Sequence, residues 1–205
     1  MSASEKSIRE DAAFLRALAQ GSASGSAKDG AILLAAGLIF GLVAAQYWAA
    51  GSGLLPASPG LRPWLWIDGL VPFILVMILI ARKFRGQATG AATRALSAAW
   101  GGVGVAHVFG VLALVVGGAR LGLPLLATWV FPLVLFTLFG AAWSVAFAVR
   151  RRAAFAVCAV GSYLAAGLCG LVMGRPEEWL VLAGGLFALV AAPGLAILRA
   201  SRGPV

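Results

Sequence analysis

Two ionisable residues lie inside long apolar stretches of this chain, and their types are the ones that could do chemistry there. His107 is the only histidine and falls near the middle of the third apolar stretch. Asp68 lies close to the start of the second and is the only acid within these stretches apart from Glu178, the first residue of the last. Glu178 and its neighbour Glu177 are interpreted as part of a solvated outer turn beside Arg175. Because an ionisable group at the centre of a membrane is costly, it is by default a hypothesis for a functional site. His107 and Asp68 are therefore the candidate binding residues.

Each of the two also has a purely structural interpretation. A neutral His107 imidazole would hydrogen-bond across a helix interface, and Asp68 would pair with Arg62 or Arg120 near the outer surface. His107 lies about 16 Å from the outer end of its helix, so direct contact with Asp68 is not expected. A single histidine excludes haem ligation by a histidine pair and a multi-histidine metal site. We expect no cofactor and no metal.

Sequence motifs of catalysis are missing. The chain has no phosphate-binding loop of the GxxxxGK type, no HExxH, no CxxC and no paired catalytic carboxylates. Cys158 and Cys169 share one helix face but are separated by a rise of about 16 Å, too far for a disulfide. They are interpreted as small apolar packing residues. The chain is not expected to be an enzyme.

The composition indicates that lipid surrounds most of the chain. Hydrophobic residues make up 61% and charged residues 11% of 205, whereas a soluble domain carries about 25% charge. The net charge of +9 comes from basic residues in short clusters between apolar runs. This arrangement is typical of membrane topology and makes nucleic-acid binding an unlikely function class.

Apolar length predicts an all-α, polytopic transmembrane bundle of six spans. Crossing a hydrocarbon core takes about 20 helical residues, and each apolar stretch is close to that length. The predicted spans are residues 30–50, 64–81, 95–118, 123–149, 153–173 and 178–198, so that 30–198 forms the transmembrane domain.

Polar segments flank this domain. Residues 1–29 form a predicted cytoplasmic tail, in which Ser7 and Glu10 fit a capping box and an amphipathic helix covers 7–20. Gly21 is expected to end that helix, and the Gly/Ser-rich stretch 21–26 to act as a flexible linker. The helix would dock a cytoplasmic protein or lie on the membrane surface. Residues 199–205 form a short cytoplasmic C-terminal tail.

Basic residues predict the orientation of the spans. With both termini inside, thirteen of the sixteen Lys and Arg residues are cytoplasmic, and only Arg62, Arg120 and Arg175 lie outside. Aromatic residues agree, since Tyr47, Trp48 and most tryptophans fall at predicted outer boundaries. Arginine far exceeds lysine and asparagine is absent, which is typical of high-GC bacterial coding. We therefore predict a multi-pass protein of the bacterial inner membrane.

Repeated turn arginines and small residues indicate how the helices pack. Arg62, Arg120 and Arg175 recur at similar intervals before the even-numbered spans, which predicts three parallel hairpins, unless topology rules alone cause the pattern. Close packing at small residues holds helices together in lipid. The predicted helix-packing glycines, which would support a tight bundle and a homo-oligomer, are Gly37, Gly41, Gly102, Gly110, Gly170 and Gly174.

Most of the chain resembles a group of small six-span inner-membrane proteins of alphaproteobacteria. The likeness rests on the run from Glu10 to Ala19, the Gly/Ser stretch after it, the segment from Gly30 to Trp48, and the Trp-rich outer turns. The resemblance implies the six-span architecture. It brings no established activity and no site residues.

Three functions remain open on these patterns. The first is a regulatory, sensory or assembly component that works through a cytoplasmic partner docked on residues 7–20. The second is a small-solute transporter, since six spans, interior prolines and His107 at midplane are compatible with one. The third is a lipid-modifying enzyme, which would require His107, Gln46, Ser144 and Tyr163 around one cavity.

Overall fold

The computed structural model describes residues 3–55, 64–85, 91–123 and 125–201, and their side chains over 27–55, 69–85, 93–123 and 125–201. Every regular element in these ranges is a helix. The first five are α1 (Ala3–Gly51), α2 (Trp64–Lys83), α3 (Ala91–Arg120), α4 (Leu126–Arg150) and α5 (Ala153–Leu171). The chain ends in α6 (Glu177–Leu186), a π-helical turn (Phe187–Ala191) and α7 (Ala192–Ala200), which form one rod, here called the sixth span.

Among the described residues, five helical stretches are long and apolar enough to cross a membrane, which supports a multi-pass membrane protein. They are Ala27–Gly51, Thr93–Arg120, Leu126–Arg150, Ala153–Leu171 and Glu177–Ala200. Helix α2 lies where the second span was predicted, but its side chains are described only from Gly69. The part of α2 from Gly69 to Lys83 is shorter than the about 20 residues that a span requires. The predicted boundaries of the last four spans agree with the helix ends to within four residues.

Helix α1 continues through the stretch that was expected to be a flexible linker. Its 49 residues run without interruption from Ala3 to Gly51, past Gly21 and Gly25. A glycine within a helix costs about 1 kcal/mol relative to alanine, which weakens a helix but does not have to end it. At 1.5 Å per residue the helix is about 73 Å long. The N-terminal segment therefore extends directly from the first span.

The helices pack between the predicted hairpins as well as within them. Helices α1 and α2 meet where Gly69 lies against Phe40 and Val43, with the Phe40 and Phe73 rings 5.1 Å apart. The closest packing, however, is between α4 and α5 and between α1 and the sixth span. The helices therefore form one bundle rather than separate hairpins.

The bundle has two chemically distinct ends. At the basic end, Arg150 of α4 lies near the start of the α1 and α3 spans and the finish of the sixth. At the aromatic end, Tyr47 of α1 stacks on Trp179 of α6 with ring centroids 4.6 Å apart. The hydrophobic core between them centres on Phe136 and Trp143 and includes Leu182, Leu186 and Val190 of the sixth span, each of which is at most 3% exposed.

Candidate functional site

Asp29 forms the centre of a small polar cluster at the basic end. It lies on α1, one residue before the predicted first span. Its Oδ1 accepts a hydrogen bond of 3.4 Å from the Ser97 hydroxyl of α3, and the Arg150 guanidinium of α4 attracts it electrostatically. Its Oδ2 is covered and has no hydrogen-bond partner among the described residues. The carboxylate is thus held by three helices but incompletely satisfied.

A cavity of about 20 Å³ lies beside this carboxylate. Trp100, Trp143 and Phe155 form its aromatic wall: the two tryptophan rings meet edge to face at 5.1 Å, and Trp143 stacks on Phe155 at 5.6 Å. One water needs about 10–15 Å³ of such space and two or more polar partners. The cavity can therefore hold one water beside Asp29 and Arg150.

The connection from α4 to α5 brings further positive charge to the cluster. It consists of Arg151 and Arg152, and Arg151 adopts a left-handed conformation with φ of 50°. Its amide donates to the Phe147 carbonyl at 2.7 Å, which closes the end of α4. Arg150 lies close enough to Asp29 to be attracted and to Arg152 to be repelled. Asp29 therefore compensates charge at a crowded basic turn.

His107 lies on the α3 side of the bundle and does not line this cavity. Its ring meets Phe131 of α4 edge to face, with centroids 4.7 Å apart and an interplanar angle of 74°. Both ring nitrogens are covered and lack a hydrogen-bond partner in the part of the chain that is described. Where we expected a hydrogen bond across the helix interface, the structure has an aromatic contact.

Asp68 belongs to the second helical turn of α2, and its side chain lies outside the described residues. The structure therefore gives the position of its backbone in α2 and leaves its role as a binding residue a prediction.

The six predicted packing glycines have different surroundings. An added Cβ at Gly37 would meet the Ala191 backbone, and at Gly41 it would come within 2.7 Å of the Phe187 ring. At Gly102 and Gly110 it would meet no described atom within 4 Å. Gly170 lies near Leu133, and Gly174 occupies a turn beside Trp129 with φ of 78°. Close packing of backbones is thus concentrated between α1 and the sixth span.

Two acids are more important to the structure than their sequence context indicated. Asp29 was assigned to the solvated tail, and Glu178 was interpreted as part of a solvated outer turn beside Glu177. Glu178 is only 1% exposed, and its Oε2 accepts a 2.8 Å hydrogen bond from the Gly174 amide. Its other oxygen is covered and has no partner among the described residues.

Helical spacing was the pattern that could have located Asp29. Residues 29, 33, 37, 40 and 44 lie on one face of α1, and Leu33 and Ala44 on that face are buried. Extending the buried stripe by one turn beyond the apolar stretch places Asp29 inside the bundle. No comparable pattern marks Glu178, because its burial depends on the fold of the preceding turn.

The polar residues required for a lipid-modifying enzyme do not surround one cavity. Gln46 is exposed, and the Ser144 hydroxyl donates to the Gly140 carbonyl in its own helix. Tyr163 packs its ring over Gly140, while His107 contacts Phe131. Among the described residues there is also no group of three or more His, Cys, Asp or Glu that could hold a metal.

Comparisons with known proteins identified no relative of this chain. No protein-family model matches the chain, and neither a curated protein nor a solved structure shows significant similarity to it. The fold and the site define a helical, multi-pass membrane protein with a polar cluster at one end. The likeness to small six-span proteins remains an expectation from the sequence.

Proposed function

We propose that this chain is a regulatory or assembly component of the bacterial inner membrane. In this proposal it docks a cytoplasmic protein on its N-terminal helical segment and transmits the docking to the transmembrane bundle. The observation that carries the proposal is the continuity of α1 from Ala3 to Gly51.

Helix continuity favours a protein partner over the membrane surface. An amphipathic helix that binds the surface lies in the plane of the interface, so it must be separated from a span by a break. In α1 no break separates residues 3–26 from the span. At 1.5 Å per residue those 24 residues project about 36 Å beyond it. Helical spacing places Ile8, Leu15 and Leu18 on one face of this segment, and we propose that a protein covers this apolar stripe.

Tight packing of α1 gives the docking segment a mechanical connection to the core. Gly30 approaches Gly194 and Leu198 so closely that an added Cβ would lie 2.9 Å from backbone atoms of both. Gly37 and Gly41 continue this contact along the sixth span. Because close-packed helices move as units, force on the N-terminal segment is expected to reach the sixth span.

Quantitative copurification from membranes tests the proposal. The full chain is compared with a variant in which the apolar stripe is polar (Ile8→Ser, Leu15→Ser and Leu18→Ser). A matched control carries Lys6→Gln and Glu10→Gln, which lie opposite the stripe and leave the net charge unchanged. We expect a protein enriched with the full chain to be lost with the stripe variant and kept with the control. Retention of every enriched protein by the stripe variant would contradict the proposal.

A further inference from the structure

We infer that Asp29, Ser97 and Arg150 form a latch that holds α1 against α3 and α4 and opens when the N-terminal segment is loaded. The cluster is called the Asp29 latch here. The inference rests on the proposed coupling role of α1, since it names the place where that coupling is gated.

Incomplete hydrogen bonding makes the Asp29 latch releasable. An ionised carboxylate offers about four acceptor sites. Here one oxygen accepts a single long bond of 3.4 Å, and the other is covered without a partner among the described residues. A partly satisfied buried polar group is costly, whereas the same carboxylate in water would be fully hydrated. The closed arrangement and an open one, in which water hydrates Asp29, are therefore expected to have similar free energies.

Electrostatic attraction counteracts that cost. Arg150 attracts Asp29, and Lys28 beside it on α1 does so as well. Arg150 is at the same time repelled by Arg152 at the start of α5. When Asp29 leaves, Arg150 loses the attraction of that carboxylate, while the repulsion from Arg152 at the α4–α5 turn remains. Opening of the latch thus affects three helices.

The point at which α1 would bend when the latch opens lies directly beside the Asp29 latch. Gly30 follows Asp29 and touches Gly194 of the sixth span without an intervening side chain. A helix that bends at such a contact can move the residues before it while the residues after it stay packed. Displacing residues 3–26 is therefore expected to draw Asp29 away from Ser97 while the apolar part of α1 keeps its contacts.

The rate at which a buried cysteine is labelled measures opening of the Asp29 latch. Ala146 lines the cavity beside the latch and is 2% exposed, so Ala146→Cys in a Cys158→Ala and Cys169→Ala background should react slowly with a small thiol reagent. In lipid nanodiscs, adding Asp29→Asn or Arg150→Gln should raise the labelling rate roughly tenfold, which is within the range of couplings between interacting side chains. The double variant should label no faster than the faster single one. Glu177→Gln, an exposed acid at the aromatic end, should leave the rate unchanged.

The effect of load on the N-terminal segment is tested with a helical peptide tag that extends α1. A nanobody that binds the tag supplies the load. Nanobody binding should raise labelling of the Ala146→Cys protein and of its Ser24→Ala control. It should not do so after Ser24→Pro, which breaks α1 between the tag and the latch. The latch proposal would be overturned if the two charge variants were labelled at the same rate as the parent. It would also be overturned if the nanobody had no effect while α1 is intact. Neither result depends on a natural partner, so both are distinguishable from failure of the copurification experiment.

Discussion

Glu177 and Glu178 are neighbours with opposite environments, and together they show what a single residue contributes at the aromatic end. Glu177 is exposed and forms a 3.4 Å ion pair with Arg175. Glu178 is buried and accepts the Gly174 amide, which fixes the turn that joins α5 to α6. An exposed ion pair is worth about 0–1 kcal/mol, whereas a buried acceptor leaves its donor unsatisfied when it is removed.

Glu178→Ala should therefore lower the free energy of unfolding by about 1–3 kcal/mol, because the Gly174 amide loses its acceptor. Glu177→Ala should change it by less than about 0.5 kcal/mol, as is usual for an exposed position. Thermal denaturation of the purified protein in detergent measures both. A larger loss from Glu177→Ala than from Glu178→Ala would show that the turn is not held by the buried carboxylate.

At the scale of whole helices, the contact between α1 and the sixth span is the tightest feature. Gly37 has no space for a side chain, since Ala191 backbone atoms occupy the position of its Cβ. Gly102 of α3 has the same residue type but open surroundings among the described atoms. The two glycines provide a matched pair for testing which helix interface holds the bundle.

Gly37→Ala should destabilise the protein by about 1–3 kcal/mol through overpacking, despite the better helix propensity of alanine. Gly102→Ala should be neutral or slightly stabilising for the monomer. Unfolding of both variants in detergent, monitored by the accessibility of Cys158, gives the comparison. If Gly102→Ala is the more harmful substitution, α3 packs against something outside this chain, and a homo-oligomer is the first explanation to test.

Helices were far more predictable than the site. Apolar length predicted the elements, because one lipid thickness imposes one helix length on every span. The continuity of α1 was missed, since Gly and Ser weaken a helix only by amounts that neighbouring turns can offset. The burial of Asp29 and Glu178 was missed for another reason. The buried stripe of α1 extends one turn beyond the apolar stretch to Asp29, which apolar length alone does not indicate. The burial of Glu178 depends on the fold of the preceding turn, for which the sequence offers no pattern.

Charge distribution is the property of the whole molecule that should set its orientation. The clusters at the basic end include Lys28, Arg94, Arg150 and Arg199, and the aromatic end carries few cations. Basic residues in short loops are retained on the cytoplasmic side during insertion. The basic end, with the Asp29 latch and the N-terminal segment, is therefore expected to face the cytoplasm.

Substituted cysteines in a Cys158→Ala and Cys169→Ala background test this orientation. Gly122→Cys, between α3 and α4, should react with a membrane-impermeant maleimide applied from outside. Ser201→Cys, just after α7, should react only after the membrane is permeabilised. The opposite result would invert the bundle and place the N-terminal segment outside, where a cytoplasmic partner could not reach it.

The π-helical turn at Phe187–Ala191 marks a position at which the chain can lose one residue without changing how the flanking segments pack. A π turn holds one residue more than an α turn, which rotates everything after it by about 100° relative to an unbroken α-helix. Loss of one codon here would therefore leave a regular α-helix whose flanking segments keep their orientation, so that Phe187 would still face Gly41 and Gly194 would still face Gly30. A homologue with a single-codon gap at this point is expected to keep both glycines of α1.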